Sequence, residues 1–78
     1  MQKQMETVTI STPFIKLDSF LKLSGAAPSG GEAKAWIAEG GVLVNGEAET
    51  RRGRKLYPGD TVALRDMDAV FVVEQENA

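Results

Sequence analysis

The chain contains no cysteine and no histidine, and each absence closes off a class of chemistry. Without cysteine there are neither disulfides nor thiolate zinc sites, so the fold must rest on packing and turn chemistry alone. Without histidine the chain lacks the side chain most often used for proton transfer near neutral pH and the commonest transition-metal ligand. No Gly-rich phosphate loop of the Walker type and no serine in a nucleophile-elbow context fills the gap. A stand-alone enzyme is not expected, and no cofactor or metal is implied. No apolar run approaches the roughly 20 residues that span a bilayer, and "MQKQMETVTI" at the start lacks the apolar centre of a secretion signal, which points to the cytoplasm. Seventy-eight residues suffice for one small domain. Such a domain buries only about 60–65% of the surface its unfolded chain exposes, too little for a deep substrate cavity.

What the chain does have is an uneven distribution of charge. The formal net charge is −2 and the pI about 5.0, yet four of the nine basic residues fall within "TRRGRK" at residues 50–55. Without Arg51, Arg52, Arg54 and Lys55, five basic residues would face eleven acidic ones.

The hydrophobic pattern gives an α+β organisation: two short packed helices followed by a small, mainly antiparallel sheet. "VTI" at residues 8–10 is β-branched and reads as a short first strand, ended by Ser11, Thr12 and Pro13. Leu17, Phe20, Leu21 and Ser24 recur at i, i+3, i+4 and i+7, which predicts an amphipathic helix over residues 16–24 with a left-handed stop at Gly25. Ser29 and Glu32 have the spacing of a capping box that opens a second helix. Its inward face is Ala33, Trp36 and Ile37, and it stops at Gly40-Gly41. From there the period falls to two. "VLV" is followed by Asn45-Gly46, the signature of a two-residue hairpin, and then by "EAET". Leu56 begins another extended segment, "YPGD" has the residues of a type II turn, and "TVALR" and "AVFVVE" read as strands. The polar ends, residues 1–7 and 75–78, are expected to be flexible around a single domain over 8–74.

The basic cluster falls on a connection between the hairpin and the "YPGD" turn. Its four side chains could simply be solvated or pair with Glu47 and Glu49, since surface ion pairs are worth only about 0–1 kcal/mol each. The functional alternative is an anion site, because a polyanionic partner relieves the mutual repulsion of clustered cations and releases its own counterions. Arginine favours phosphate as that anion, since its planar fork takes two oxygens at once. Gly53 would let the backbone come close to such a partner. Lys16, Lys22 and Lys34 could extend the basic surface if the helix faces adjoin the loop. Trp36, Phe14, Phe71 and Tyr57 are read as core or its margin rather than as stacking platforms.

The order "KLDSFLKLSG", "SGGEAKAWIAEGGVLVNGEAETRRGRKLYPGD" resembles the RNA-binding domain named after the fourth protein of the small ribosomal subunit, also called the alpha-L motif. The resemblance covers residues 14–73. "SGGEAK" followed by "RRGRK" is similar to the small stand-alone bacterial members of that family, of the YaaA and YbcJ kind. It implies an RNA-facing surface built from both helices and the following loop, with Lys16, Lys34, Arg51, Arg52, Arg54 and Lys55 as its basic residues. It further implies a non-catalytic protein that binds structured RNA, ribosomal RNA or a ribosomal subunit in assembly; a monomer is expected. Many larger members have a basic residue after the position of Ser29, where this chain has Gly30. Three other readings remain in view. The loop could meet an acidic protein partner. A sulfur carrier of the beta-grasp kind would share the "VNG" hairpin, but it needs a terminal diglycine where this chain has "QENA". A major-groove DNA reader would need a helix with a row of basic and amide side chains, and neither helix has one.

Overall fold

A computed structural model describes residues 4–65, 67 and 69–76. The first helix, α1 (Leu17–Leu23), follows directly on a two-residue strand, β2 (Ile15–Lys16). The second helix is α2 (Gly30–Ala38). Strand β1 (Gln4–Ile10) precedes both helices, and β3 (Val42–Val44), β4 (Glu47–Ala48), β5 (Lys55–Leu56), β6 (Thr61–Leu64) and β7 (Ala69–Gln75) follow them. Five strands form one sheet in the order β1-β7-β6-β3-β4, while β2 and β5 form a separate antiparallel ribbon. The α+β class and the mainly antiparallel sheet agree with the pattern in the sequence.

The chain reverses where its turn residues demand it. Gly25 and Gly40 end the helices with φ of 82° and 77°. Asn45 and Gly46 both take positive φ, 51° and 86°, as a type I′ hairpin turn requires. Ser29 caps α2, its Oγ accepting the Glu32 amide at 3.3 Å. The reciprocal bond from the Glu32 carboxylate, which would complete the expected box, does not form.

Two features depart from the sequence reading. The first strand starts at Gln4 rather than Val8, because its whole length runs parallel to β7 in a register from Gln4↔Ala69 to Ile10↔Gln75. Residues 4–7 of the expected flexible segment therefore lie in the sheet, and Gln75 closes β7; residues 1–3 and 77–78 lie outside the described residues. The second departure is β2, which takes Lys16 out of the helix and makes it the extended residue before it, at φ −74° and ψ 149°.

One face of the sheet packs against the helices. Leu17, Phe20 and Leu21 of α1 and Ala33 and Ile37 of α2 join Val42, Val44, Val62, Leu64, Phe71 and Val73 in one core, with Phe20 meeting Phe71 edge to face at 6.4 Å between ring centroids. Trp36 lies at the margin, half-buried against that core. Leu56 is fully buried, and Ile15 packs against the same cluster. The small ribbon is thus fastened to the body by its inward side, which leaves its outward side for other work.

Candidate functional site

The connection from β4 to β5 carries the basic cluster, and its shape is set by a residue of the opposite charge. Glu49 is only 7% exposed although it belongs to a connecting segment. Its Oε2 accepts the Arg51 backbone amide at 3.1 Å and Arg51 Nε at 3.0 Å. Its Oε1 accepts Arg51 Nη2 at 3.2 Å and Arg54 Nη1 at 2.9 Å. A buried carboxylate is tolerable when its lone pairs are so engaged. The hydrogen bonds from Arg51 and then Arg54 outweigh the opposing effect of burial and hold the Glu49 carboxyl at about 2, well below the ordinary carboxylate range.

The loop is also tied to the first helix through its backbone. The Leu17 amide donates to the Arg54 carbonyl at 2.9 Å and the Asp18 amide to the Arg52 carbonyl at 3.1 Å. These are orphan donors of the first turn of α1, whose N-cap residue, Lys16, provides no side-chain cap. The basic loop serves as the cap instead. Next to these bonds, Lys16 pairs with Lys55 across the β2–β5 ribbon, so two lysines 39 positions apart in sequence stand side by side.

The six basic residues singled out in the sequence therefore have different surroundings. Arg51 and Arg54 share Glu49, yet the Arg51 side chain remains 76% exposed and that of Arg54 32%. Arg52, Lys55 and Lys16 are exposed and form no ion pair among the described residues. Lys34 is exposed on α2 and has no hydrogen bond or ion pair to the loop. The structure joins five of the six into one region and leaves Lys34 on a separate element. Arg51, Gly53, Arg54 and Lys55 line a shallow open hollow of about 420 Å³. A Cβ added at Gly53 would meet nothing within 4 Å, so neither packing nor backbone conformation demands glycine there.

Gly30 at the start of α2 is not left bare. The Lys22 side chain of α1 lies over it, with Nζ 3.7 Å from the place a Cβ would occupy. The cation at this spot comes from the neighbouring helix.

Two aromatic residues also belong to the region: Tyr57, whose place next to the basic loop in the sequence allows partial exposure, and Phe14, which the sequence alone leaves at the core or its margin. Tyr57 is 50% exposed, and its ring lies 6.0 Å from that of Phe14, while Lys55 Nζ stands 4.8 Å from the Phe14 centroid. Period-two alternation on both sides of the ribbon would have put Phe14, Lys16, Lys55 and Tyr57 on one side, had the two-residue pairing been visible.

No helix of the described residues is long and apolar enough to cross a membrane, and no group of three or more Asp or Glu among them could hold a metal ion.

Comparison with known proteins gives a consistent result. A model of the S4 domain family matches residues 8–73. A Bacillus subtilis protein named "Probable ribosome maturation protein RlbA" is 47% identical over 66 residues, which is 85% of this chain and 93% of that protein. An Escherichia coli protein named "Putative RNA-binding protein YbcJ" is 47% identical over 52 residues, which is 67% of this chain and 74% of that one.

Proposed function

We propose that this chain, which belongs to the S4 domain family, is a non-catalytic RNA-binding protein that recognises structured RNA, namely ribosomal RNA or a ribosomal subunit in assembly, in the cytoplasm. Its RNA-facing residues are Lys16, Arg51, Arg52, Arg54 and Lys55, with Lys34 at the periphery. The observation that carries this reading is the backbone fastening of the loop to α1 through Leu17 and Asp18, because it holds a set of exposed cations in a fixed arrangement on a chain of net charge −2. A mobile lysine tail would bind RNA by charge alone. A fixed array can select among arrangements of phosphates, and the acidic remainder of the molecule, which repels the same ligand, restricts the orientation of binding. The names of the two relatives point the same way, towards RNA and ribosome maturation.

A salt titration of binding to a structured ribosomal RNA fragment, set against a DNA duplex of similar length, tests this. With about four phosphate contacts the slope of log K against log salt should be about −3, with preference for RNA. Alanine at Arg52 and Lys55 together, neither of which holds Glu49, should reduce the magnitude of the slope while the protein stays folded. Equal binding by parent and variant would refute the assignment. Absence of binding at low salt would redirect the cluster to an acidic protein partner.

A further inference from the structure

We propose that the outward side of the β2–β5 ribbon is a stacking site for an unpaired nucleobase, with Tyr57 as the stacking residue, Phe14 as its support, and Lys16 and Lys55 holding the flanking phosphates. This rests on the reading of the chain as an RNA-binding protein and specifies its ligand: RNA with an unpaired nucleotide beside a helix, rather than an uninterrupted duplex.

The pleat supplies the arrangement. Ile15 and Leu56 are partners in the ribbon and face the core, so their neighbours on either side, Phe14 and Lys16 on one strand and Lys55 and Tyr57 on the other, turn outward together. Two cations and two aromatic rings thereby share a surface only two strands wide. Tyr57 is the large aromatic residue exposed among those described; Phe20 and Phe71 are buried, and Trp36 is half-buried against the core.

The platform is also held in place. The Tyr57 amide donates to Asp60 Oδ2 at 2.8 Å, and the Asp60 amide returns a bond to the Tyr57 carbonyl at 2.9 Å. Asp60 Oδ1 in turn accepts Asn45 Nδ2 at 3.1 Å, so both oxygens of this carboxylate are engaged and the hairpin turn braces the Tyr57 turn. On the other strand, the Thr12 hydroxyl donates to the Phe14 carbonyl at 2.7 Å. A rigid aromatic face costs little ordering when a base stacks on it. Every base has a π-face, so such a site accepts any unpaired base, and the Lys55 ammonium beside the rings attracts the phosphate that comes with it. Bases inside a duplex cannot reach it, which is why the site selects for bulges and loops.

The test uses an RNA hairpin carrying one bulged 2-aminopurine and the same hairpin fully paired, with parent protein, Tyr57→Leu and Tyr57→Phe. Stacking on a protein ring quenches 2-aminopurine, and a stacked base is worth about 5- to 150-fold in affinity. The parent should bind the bulged hairpin tighter by a factor in that range and quench its fluorescence. Tyr57→Leu should lose both effects yet bind the paired hairpin with an unchanged salt slope, and Tyr57→Phe should keep both. If Tyr57→Leu retains the preference and the quenching, or the parent binds both hairpins alike without quenching, the stacking site is refuted while RNA binding stands. If the parent binds neither hairpin but binds poly-glutamate, both readings fall together. Should Tyr57→Leu not fold, Lys55→Gln is the second probe. It should weaken binding to the bulged hairpin more than to the paired one, and equal weakening would count against the site.

Discussion

Within a single short stretch, Arg51 and Arg54 converge on the buried Glu49 carboxylate, whereas Arg52 and Lys55 are exposed and form no ion pair among the described residues. Sequence proximity hides this difference. The internal pairing that the sequence allowed is made by Arg51 and Arg54 with Glu49, and it leaves Arg52 and Lys55 without an acidic partner among the described residues. Glu49 uses two arginines to fix the backbone, and that fixed backbone presents the carbonyls of Arg52 and Arg54 to the first turn of α1. The residues that hold the loop also determine where the free cations stand. Arg51 belongs partly to both groups: it is clamped by one edge of its guanidinium but largely exposed.

The largest effect should come from breaking the clamp. Glu49→Gln preserves shape but leaves the half-buried Arg54 without a counter-charge and sets an amide against the Arg51 donors. The expected loss is about 1–3 kcal/mol, read from the urea midpoint. A midpoint equal to the parent's would mean the clamp is ornamental.

The same clamp can be released without mutation. Folding lowers the Glu49 carboxyl to about 2, so its contribution to stability is complete above the unfolded carboxylate's range and is lost as pH falls through the folded value. The parent should therefore be more stable than Glu49→Gln at pH 6, and the margin should shrink between about pH 5 and pH 2. A margin that stays constant over urea titrations at pH 6, 4 and 3 would assign the effect to packing rather than charge.

The third prediction separates the halves of the loop directly. Arg52→Ala with Lys55→Ala should lower RNA affinity at least about tenfold and reduce the magnitude of the salt slope by about 1.5, at roughly 0.7–0.9 per contact. Stability should change by less than about 0.5 kcal/mol for each exposed residue. Arg54→Ala should show the opposite balance, with a clear fall in the urea midpoint. If the two variants behave alike in both measurements, the division of labour fails.

The contrast between clamp and free cations also marks the limit of what sequence makes legible. Gly25, Gly40, Asn45-Gly46 and the "YPGD" turn announce themselves, because positive φ and a fixed proline φ are local demands that few residues meet. The helix faces show through because Leu17, Phe20 and Leu21 repeat at a helical period over enough positions to be seen. The β2–β5 ribbon does not, since two residues a side cannot display a period of two. Nor does β1 before Val8: "QMET" is polar in pattern, and its strand conformation is set by the parallel partner β7, which lies at the far end of the chain. Glu49 was visible only as one of two acidic residues near the cluster. Its burial depends on which way the chain turns after β4, a tertiary outcome with no local sign. All six candidate cations can be named from the sequence, but their separation into clamped and free cannot.

Lys34 offers the smallest and sharpest test of how far the interface extends. It stands on α2 without any bond to the loop, and the start of that helix at Gly30 is covered by the Lys22 side chain from the other helix. If RNA is read mainly by the loop and ribbon, Lys34→Ala should weaken binding by less than about threefold and change the salt slope by less than the roughly 0.7 of one full phosphate contact. Lys22→Ala, which removes the ammonium over the start of α2, should then exceed it. A Lys34 effect as large as that of Lys55→Ala would instead extend the contact surface across both helices, and the RNA would have to span the junction between α2 and the loop rather than lie along the ribbon.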